Sequence, residues 1–231
     1  MKKILWDIDG TLLNFDLAET KAIKVSFEKF NLKSPSQDLI LDYKKTNNKC
    51  WKMLERGEVT RQEVLIGRFL EFFKKHNIKV DSAEDFNRTY QIELGKTYVF
   101  YPHGESVVKE LAKSYDQYAV TNGSLTAQRG KLEGSNLNKI FKRSFISELV
   151  GFEKPDPRFF SYVFDHIGSK NPSDYVIIGD SLTSDMLGGI NAGIKTIWFN
   201  PENLKNDLDL KIDYTIKSLD EVIPLLSEIF S

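Results

Sequence analysis

Four short polar motifs carry the residues of this chain that could do chemistry together. In chain order they are Asp7-Ile8-Asp9-Gly10-Thr11, Thr121-Asn122-Gly123, Lys154-Pro155-Asp156-Pro157, and Gly179-Asp180-Ser181 followed by Asp185. A single aspartate at the end of a strand is usually a helix cap or a turn former. Four such motifs in this order, each near a predicted strand end, indicate one shared site assembled from distant parts of the sequence.

Convergence of these motifs would create an excess of negative charge. The charged residues involved are Asp7, Asp9, Asp180, Asp185 and Lys154. Four negative charges and one positive charge give a formal −3, and like charges at close range keep some carboxyl groups protonated unless a cation intervenes. A hard divalent ion meets this need, since Mg²⁺ typically combines one or two carboxylates with waters and a substrate phosphate. The sequence therefore predicts a magnesium site, with Thr121 and Asn122 as donors to a bound anion.

Short apolar runs bounded by turn residues must position these motifs. The runs are 4–6, 117–120, 175–178 and 196–199, and each is followed by polar or turn-forming residues. Such runs are typical of buried parallel strands, and here they alternate with stretches of helical periodicity. This alternation predicts an α/β fold, a Rossmann-like parallel sheet flanked by helices with right-handed crossovers. The carboxyl ends of parallel strands line one crevice, so the four motifs can meet there.

The region after the first motif has a different pattern. Apolar residues repeat at helical spacing between residues 15 and 98, and no strand-like run interrupts them. The chain returns to the sheet pattern at Tyr101-Pro102-His103-Gly104, a turn rich in proline and glycine. We therefore expect a core domain formed by residues 1–14 and 101–231, with an inserted all-helical cap domain formed by residues 15–100.

Composition narrows the class of protein. The 231 residues are 41% hydrophobic and 28% charged, and the net charge is −1, which favours a globular chain without a broad basic surface for a nucleic acid polymer. The first apolar run ends after three residues at Asp7, too short for a signal peptide or a membrane span. Cys50 is the single cysteine and cannot form an internal disulfide. We expect a cytoplasmic monomer or homodimer that does not contact membranes.

The four motifs together resemble those of the haloacid-dehalogenase-like (HAD) superfamily, and the resemblance covers essentially the whole chain. Asp7-Ile8-Asp9-Gly10-Thr11-Leu12 is similar to its first motif, Thr121 to the second, Lys154 to the third, and Gly179-Asp180-Ser181 with Asp185 to the fourth. The resemblance implies a subfamily I phosphatase, with a helical cap inserted after the first motif. This implication agrees with the helical insert predicted from the apolar pattern.

The resemblance also implies a role for each motif residue. It makes Asp7 the nucleophile and Asp9 the general acid/base in hydrolysis of a small phosphate ester through an aspartyl-phosphate. The phosphoryl oxygens would be held by Thr121, Asn122 and Lys154. The Mg²⁺ ligands would be Asp7, the backbone carbonyl of Asp9 and Asp180, with Asp185 supporting or sharing the ion. Dehalogenases of the superfamily lack the second aspartate, because a halide needs no proton to leave; Asp9 therefore favours phosphoryl transfer.

Further stretches resemble the YjjG-type branch of the superfamily, which comprises pyrimidine 5′-nucleotidases. They include Asn47-x-x-x-Trp51, Gly67-Arg68-Phe69, Thr121-Asn122-Gly123 with Gln128, and Asp185-x-x-Gly188-Gly189-Ile190-Asn191-Ala192-Gly193. The branch implies a nucleoside monophosphate as substrate, and three residues are candidates for setting specificity. Phe15 would shape the entrance or pack in the core, Trp51 would stack on a base or pack in the core, and Arg68 would reach the ribose or phosphate or remain a solvated helix residue.

Other functions are compatible with the same core motifs. A phosphatase acting on phosphoglycolate or sugar phosphates, or a phosphomutase, would share the catalytic residues and differ in the lining of the cap. A catalytically silent HAD-fold binding protein is a further alternative. The intact set of carboxylates argues against it, because a silent protein has no need of so much mutual repulsion.

Overall fold

The computed structural model describes residues 2–230 and contains one six-stranded sheet in which every neighbouring pair of strands is parallel. The strands are β1 (Lys3–Trp6), β2 (Asp116–Thr121), β3 (Arg143–Ile146), β4 (Tyr175–Gly179), β5 (Lys195–Phe199) and β6 (Tyr214–Ile216). Their order across the sheet is β3-β2-β1-β4-β5-β6. The predicted parallel α/β fold is confirmed.

The strand order places the functional crevice. β1 lies at the centre and pairs with β2 on one side and β4 on the other. The chain runs outward from β1 through β2 to β3, and then returns to the opposite side of β1 to form β4. Ligands bind at such a reversal of strand order, beyond the carboxyl ends of the strands. The loops that follow β1, β2 and β4 therefore meet at one crevice.

Helices cover both faces of the sheet. They are α5 (Gly104–Leu111), α6 (Leu125–Gly134), α7 (Leu137–Ile140), α8 (Ser147–Val150), α9 (Pro157–Ile167), α10 (Leu187–Asn191) and α11 (Val222–Ile229). Successive strand residues point to opposite faces. Thus Trp6 packs with Val107 of α5 and Leu132 of α6, whereas its neighbour Leu5 packs on the other face with Phe159 of α9.

Two strands fall outside the apolar runs that predict the sheet. β3 and β6 are the outermost strands, only four and three residues long, and both include exposed positions. An edge strand is only partly covered by its neighbours, so it needs no continuous apolar run. The four predicted strands are the inner ones, buried on both faces.

Residues 15–98, all of which the structure describes, contain helices and no strand. The helices are α1 (Phe15–Lys29), α2 (Gln37–Glu55), α3 (Arg68–Lys75) and α4 (Ala83–Gly95), with a π-helical turn at Glu63–Gly67. The side chains of Asn14, Ser36 and Ser82 cap α1, α2 and α4 by accepting hydrogen bonds from backbone amides. A core rich in aromatic rings joins the helices, among them Phe27, Tyr43, Phe69, Phe72, Phe86 and Tyr90. We refer to residues 15–95 as the helical segment.

The two chain crossings between the sheet region and the helical segment lie side by side. The amide of Asn14 donates to the carbonyl of Val99 at 2.8 Å, and the amide of Tyr101 donates to the carbonyl of Leu12 at 2.9 Å. The two connections are therefore hydrogen-bonded to each other. Within residues 2–230 no helix combines the length and apolar character that crossing a bilayer requires.

Candidate active site

Three aspartates from two strand ends form an acidic cluster. Asp7 follows β1, Asp180 follows β4, and Asp185 lies in a π-helical turn at Leu182–Met186. One carboxylate oxygen from each lies within 4.8 Å of the other two. Asp7 and Asp185 are buried and Asp180 is half-buried. The structure thus brings together three of the four aspartates that the motifs predict to converge.

Backbone shape and a shared hydroxyl hold the cluster close. Gly10 has φ +94°, and a Cβ there would lie 2.6 Å from Oδ2 of Asp180, so a larger residue would both strain the loop and collide with the carboxylate. The Thr11 hydroxyl lies between two members of the cluster, 3.0 Å from Oδ1 of Asp180 and 3.3 Å from Oδ2 of Asp7. Hence the first motif both supplies Asp7 and shapes the space around Asp180.

Lys154 lies within this cluster with only 1% of its surface exposed. Its Nζ donates to Oδ1 of Asp7 at 2.8 Å, to Oδ1 of Asp185 at 2.6 Å, and to the carbonyl of Val120 at 2.7 Å. Asn122 fixes the lysine's backbone, because its side-chain amide donates to the Lys154 carbonyl and accepts from the Lys154 amide, both at 2.8 Å. The three hydrogen bonds of Nζ and the two hydrogen bonds to the backbone together restrict the position of the Lys154 ammonium group.

The predicted residue Thr121 ends β2 and is buried beside the same crevice. Its hydroxyl accepts a hydrogen bond from the amide of Gly123 at 3.1 Å. Thr121, Asn122 and Lys154 line one cavity together with Asp7, Asp180 and Asp185. The structure therefore brings the three predicted anion-binding residues to the acidic cluster.

Burial and mutual repulsion shift the titration of the cluster. Burial raises the pKa of Asp7 well above its ordinary value; Lys154 opposes this shift, and Asp185 and Asp180 reinforce it. Burial, together with the charge of Asp185, raises the pKa of Asp180 to about 7. Burial also disfavours the Lys154 ammonium, but Asp185 and Asp7 outweigh that effect and raise its pKa, so this lysine stays charged. The single positive charge of Lys154 therefore does not balance the three carboxyl groups of the cluster.

The donor set fits a divalent cation of the magnesium type. Carboxylate oxygens are the hard ligands that Mg²⁺ prefers, and the three that converge here come from Asp7, Asp180 and Asp185. A cation among them would oppose both the burial and the mutual repulsion that raise the pKa values of Asp7 and Asp180. The chemistry of the residues therefore agrees with the predicted ion.

Asp9 is oriented differently from the other three aspartates. Its Oδ2 accepts from Nε2 of Gln128 at 2.7 Å, and its Oδ1 accepts from Nζ of Lys131 at 2.5 Å. Both donors belong to α6, the helix that follows the second motif. The predicted general acid/base therefore lines the cavity, but its carboxylate is bound to a helix rather than to the acidic cluster.

Lys131 is a candidate functional residue that sequence reasoning missed. The chain contains 32 lysines and arginines, and nothing in the local pattern distinguishes this one. The available signal is its spacing, three residues after Gln128 on a helix that begins just beyond Thr121-Asn122-Gly123. Residues three apart lie on the same face of a helix, so both side chains can reach one partner.

The cavity extends from the acidic cluster to the helical segment and has a volume of about 380 Å³. The three predicted specificity residues Phe15, Trp51 and Arg68 all line it. Phe15 and Trp51 are half-buried; Phe15 packs against the aromatic core of the helical segment, and Trp51 packs beside Cys50, Leu54 and Val64. Phe15 and Trp51 therefore both pack against apolar neighbours and line the cavity.

Arg68 is buried, with 1% of its surface exposed, so the interpretation as a solvated helix residue is wrong. Its guanidinium donates to Oδ1 of Asn47 at 2.6 Å and to Oδ1 of Asn87 at 3.0 Å, and it lies 5.1 Å from the ring centre of Tyr90. These partners come from α2 and α4, which helical periodicity alone does not place beside Arg68. The side chain is therefore held inside the helical segment.

Asn47 connects Arg68 to a buried glutamate, Glu19. Asn47 uses its other amide atom, Nδ2, to donate to Oε1 of Glu19 at 2.7 Å. Burial raises the pKa of Glu19 to about 7, although Lys44, Asn47 and Arg68 oppose the shift. Glu19 and Asn47 line the cavity and were not among the predicted site residues. We call Glu19, Asn47 and Arg68 the cap network.

Direct contacts join the helical segment to the crevice loops. The Arg61 side chain donates to Oε1 of Glu153 and to the carbonyl of Asn122, both at 3.1 Å, and to the hydroxyl of Ser147. Glu55, at the end of α2, accepts from the hydroxyl of Thr183 at 2.5 Å. Polar contacts therefore connect the helical segment to the loops beside the cavity.

Several known proteins are similar to this chain over nearly its whole length. YfnB of Bacillus subtilis (strain 168), a HAD-hydrolase, is 34% identical over 226 residues, which cover 98% of this chain and 95% of that protein. The pyrimidine 5′-nucleotidase PynA of Streptococcus pneumoniae (strain ATCC BAA-255 / R6) is 33% identical over 228 residues, with coverage of 98% and 95%. The pyrimidine 5′-nucleotidase YjjG of Escherichia coli (strain K12) is 27% identical over 223 residues, with coverage of 96% of each chain.

The fold and the family are shown by two further matches. The crystal structure of magnesium-bound YfnB, described as revealing interdomain movement, aligns with a TM-score of 0.91 at 34% identity over 97% of this chain and 98% of that one. The family model for haloacid dehalogenase-like hydrolases matches residues 4–199. Since this match spans most of the sequence, the chain belongs to the haloacid dehalogenase-like hydrolase family, as its four motifs predicted.

Proposed function

We propose that this chain is a Mg²⁺-dependent phosphatase that hydrolyses pyrimidine nucleoside monophosphates through an aspartyl-phosphate. The observation that carries the chemistry is the position of Asp7, whose carboxylate lies against both the charged Lys154 and the acidic cluster. The substrate class is supported by the full-length similarity to PynA and YjjG, both named pyrimidine 5′-nucleotidases. We further propose that residues 15–100 act as the cap over a core formed by residues 1–14 and 101–231.

The reaction begins at the Asp7 carboxylate, because a carboxylate freed of its proton is a nucleophile toward phosphorus. An oxygen of Asp7 forms a bond to phosphorus while the bond from phosphorus to the leaving oxygen breaks, and that oxygen takes a proton from Asp9. Water then attacks the aspartyl-phosphate and loses its proton to Asp9, which releases inorganic phosphate and restores Asp7. Lys154, with Thr121 and Asn122, would stabilise the charge on the phosphoryl oxygens during both steps.

The ion would be held by Asp7, Asp180 and the backbone carbonyl of Asp9. Bound Mg²⁺ supplies charge neutralisation between the nucleophile and the phosphoryl oxygens. We propose Asp180 as a direct ligand and Asp185 as a supporting residue. Asp185 already accepts from Lys154 through Oδ1 and from the amide of Ser181 through Oδ2 at 3.1 Å, whereas Asp180 accepts only from Thr11 among the side-chain donors described above.

The cavity is large enough for a substrate that is bigger than phosphate alone. Its volume of about 380 Å³ lies within the usual range for small-molecule sites, about 300–1,000 Å³. Phe15 and Trp51 offer aromatic faces, and stacking of a base on such a ring contributes about 1–3 kcal/mol in nucleic-acid complexes. A flat base with a polar edge would suit this combination of rings and buried polar groups better than a glycolate group would.

A substrate panel with two variants tests the proposal. We expect phosphate release from UMP and dTMP with Mg²⁺, and much slower release from phosphoglycolate and sugar phosphates. Asp7→Asn should abolish turnover, because an amide cannot form the acyl-phosphate, and excess chelator should do the same. Asp165→Asn, at an exposed carboxylate on α9, is the matched control and should retain full activity.

Other results of the substrate panel would support one of the alternative functions instead. A preference for sugar phosphates or phosphoglycolate would place the chain among small-molecule phosphatases, and phosphoryl transfer to a second sugar hydroxyl would indicate a phosphomutase. Lack of activity on the whole panel in the presence of Mg²⁺ would favour a binding protein. Undiminished turnover by Asp7→Asn would exclude the covalent route.

A further inference from the structure

Lys131 is a buried charged residue that the proposed mechanism leaves unused. It lies in α6 with 0% of its surface exposed, and its Nζ contacts Oδ1 of Asp9 at 2.5 Å. The ring of Phe15, at the start of α1, lies 5.1 Å from the same nitrogen. A lysine is rarely buried completely unless its charge is paired, so the contact with Asp9 is what stabilises it there.

Gln128 completes a two-point contact with the same carboxylate. It has 0% of its surface exposed, and its Nε2 donates to Oδ2 of Asp9 at 2.7 Å. Its Oε1 is buried and accepts no hydrogen bond within residues 2–230. A Cβ on Gly123 would lie 2.2 Å from Nε2 of Gln128, so the glycine of the second motif leaves the space that this side chain occupies. We call Gln128 and Lys131 the Asp9 clamp.

The clamp fixes the direction of the Asp9 carboxylate, which is not one of the three carboxylates of the acidic cluster. Each of its two members engages a different oxygen of the Asp9 carboxylate, and α6 carries both of them. Without these donors the carboxylate could rotate, with Asp7 and the metal site two residues away in sequence. The clamp therefore selects one orientation of the side chain.

The helix that carries the clamp is itself tightly held. α6 packs against α4 of the helical segment so closely that a Cβ on Gly130 would lie 2.8 Å from the carbonyl oxygen of Gly95. Such close backbone contact leaves α6 little freedom to slide or rotate. A catalytic group supported by locked neighbours is held more precisely than one on a free loop.

We propose that Lys131 and Gln128 are positioning residues that hold Asp9 in place to deliver its proton to the leaving oxygen. The inference rests on the proposed phosphatase function, in which that proton comes from Asp9. Lys131 has no exposed surface and therefore acts through Asp9 rather than on the substrate. A role in stability alone would not depend on which ester is cleaved, and this difference makes the two roles separable.

The test compares two esters whose leaving groups differ in basicity. The 5′-oxygen of UMP is a strong base as it leaves and needs a proton, whereas p-nitrophenolate is a weak base and leaves without one. The quantity to measure is kcat/KM, because it reports the steps up to release of the alcohol. We expect Lys131→Met to lower kcat/KM for UMP by about 10²-fold, within the range for a positioned acid, and to lower that for p-nitrophenyl phosphate far less.

Further variants separate positioning from folding. Gln128→Met keeps the net charge and should show a smaller loss with the same preference for UMP, so a folding defect in one variant leaves the other informative. In an Asp9→Asn background, Lys131→Met should cause no additional loss on UMP, because the group it positions has already been removed. Lys109→Met, at an exposed lysine of α5, should change neither ester.

Two kinds of failure are distinguishable. A wild-type enzyme that cleaves both esters, combined with equal losses on both in Lys131→Met and Gln128→Met, would overturn the positioning role and leave the proposed function intact. Additive losses in the Asp9→Asn background would overturn it as well. A wild-type protein inert toward both esters would overturn the proposed function and this inference together.

Discussion

The acidic cluster of the crevice and the cap network of the helical segment both bury ionisable groups, but they balance charge differently. In the crevice, Asp7, Asp180 and Asp185 face Lys154; burial, reinforced by the neighbouring negative charges, raises the pKa values of Asp7 and Asp180. The lysine cannot neutralise three carboxylates at once. This region therefore favours the arrival of a cation.

The cap network carries one acidic and one basic group joined by an amide. Asn47 donates to Glu19 and accepts from Arg68, so the negative and positive side chains lie at opposite ends of a short hydrogen-bonded chain. Arg68 also contacts the faces of Phe69 and Tyr90. Burial disfavours the charged form of Glu19 and raises its pKa to about 7. What separates this set from the crevice is its equal number of acidic and basic side chains.

Burial of charge therefore serves two purposes in this molecule. In the crevice, the excess of negative charge lies at the proposed metal and phosphate site, and the effect of a substitution there should fall on the chemical step. In the helical segment, the linked side chains of Glu19, Asn47 and Arg68 line the cavity, and a substitution there should act on binding and stability. Substitutions in the two regions should therefore have different effects.

The largest effect is expected for Lys154→Met. The substitution leaves Asp7 and Asp185 buried without their cationic partner, and breaking a buried ion pair in this way costs about 3–5 kcal/mol of the free energy of unfolding. Loss of a donor to the phosphoryl oxygens should also lower kcat/KM by about 10²–10³-fold. Urea denaturation with and without Mg²⁺ would measure the first effect, and added Mg²⁺ should restore part of the stability.

The control for Lys154→Met is a lysine in an ordinary surface pair. Lys109 lies on α5 and contacts the carboxylate of Glu105 one turn away at 2.6 Å, with both side chains more than half exposed. Lys109→Met should change the free energy of unfolding by no more than about 0.5 kcal/mol. Equal losses for the two variants would show that the crevice charges are not specially placed.

The residues of the crevice could be predicted from sequence because strand ends impose their position. Asp7 and Asp180 each follow a short apolar run, and the parallel arrangement of β1 and β4 brings those ends together whatever the loops contain. Lys154 and Asp185 were found through the order of the motifs. Fold class and acidic cluster therefore follow from local patterns combined with one rule of sheet geometry.

The cap network and the Asp9 clamp could not be predicted in the same way. Helical periodicity indicates which face of a helix is buried, but not which polar residue on a neighbouring helix will meet it. Arg68 finds Asn47 on α2 and Asn87 on α4, and Lys131 finds Asp9 after β1. Each of these pairs depends on how the helices pack, and the sequence contains many other lysines and arginines with the same local surroundings.

An intermediate effect is expected for Arg68→Met, which breaks the cap network at its basic end. The oxygens of Asn47 and Asn87 would lose a charged donor in a buried position, which should cost about 1–3 kcal/mol in the free energy of unfolding. We expect KM for UMP to rise by about 10-fold, equivalent to about 1.4 kcal/mol of binding, while kcat for p-nitrophenyl phosphate changes little. Steady-state kinetics on the two esters would measure both.

The matched control for Arg68→Met is Arg88→Met on α4, where the arginine is exposed and pairs with Asp85. That variant should change neither KM nor stability appreciably. If Arg68→Met lowered kcat for p-nitrophenyl phosphate as strongly as Lys154→Met, the division of labour between the two regions would fail.

The smallest effect is expected for Glu19→Gln, and it concerns the pH dependence of stability. Glu19 has a pKa of about 7 in the folded chain against 4.5 for an ordinary glutamate, so the folded state holds the proton more tightly than the unfolded state. Between these two values the folded state binds more protons, and stability therefore falls as the pH rises from about 4.5 to about 7. Above that window the loss is complete.

Glutamine carries no such proton and removes this part of the pH dependence. Relative to the wild type, Glu19→Gln should gain about 1–2 kcal/mol of stability as the pH rises from 5.5 to 7, because between the two pKa values the wild type loses about 1.4 kcal/mol per pH unit. Urea denaturation of both proteins at several pH values measures the difference, which cancels the contributions of Asp7 and Asp180 common to both. Parallel stability curves across that range would mean that Glu19 is already charged in the folded chain, and that the cap network is as fully compensated as a surface ion pair.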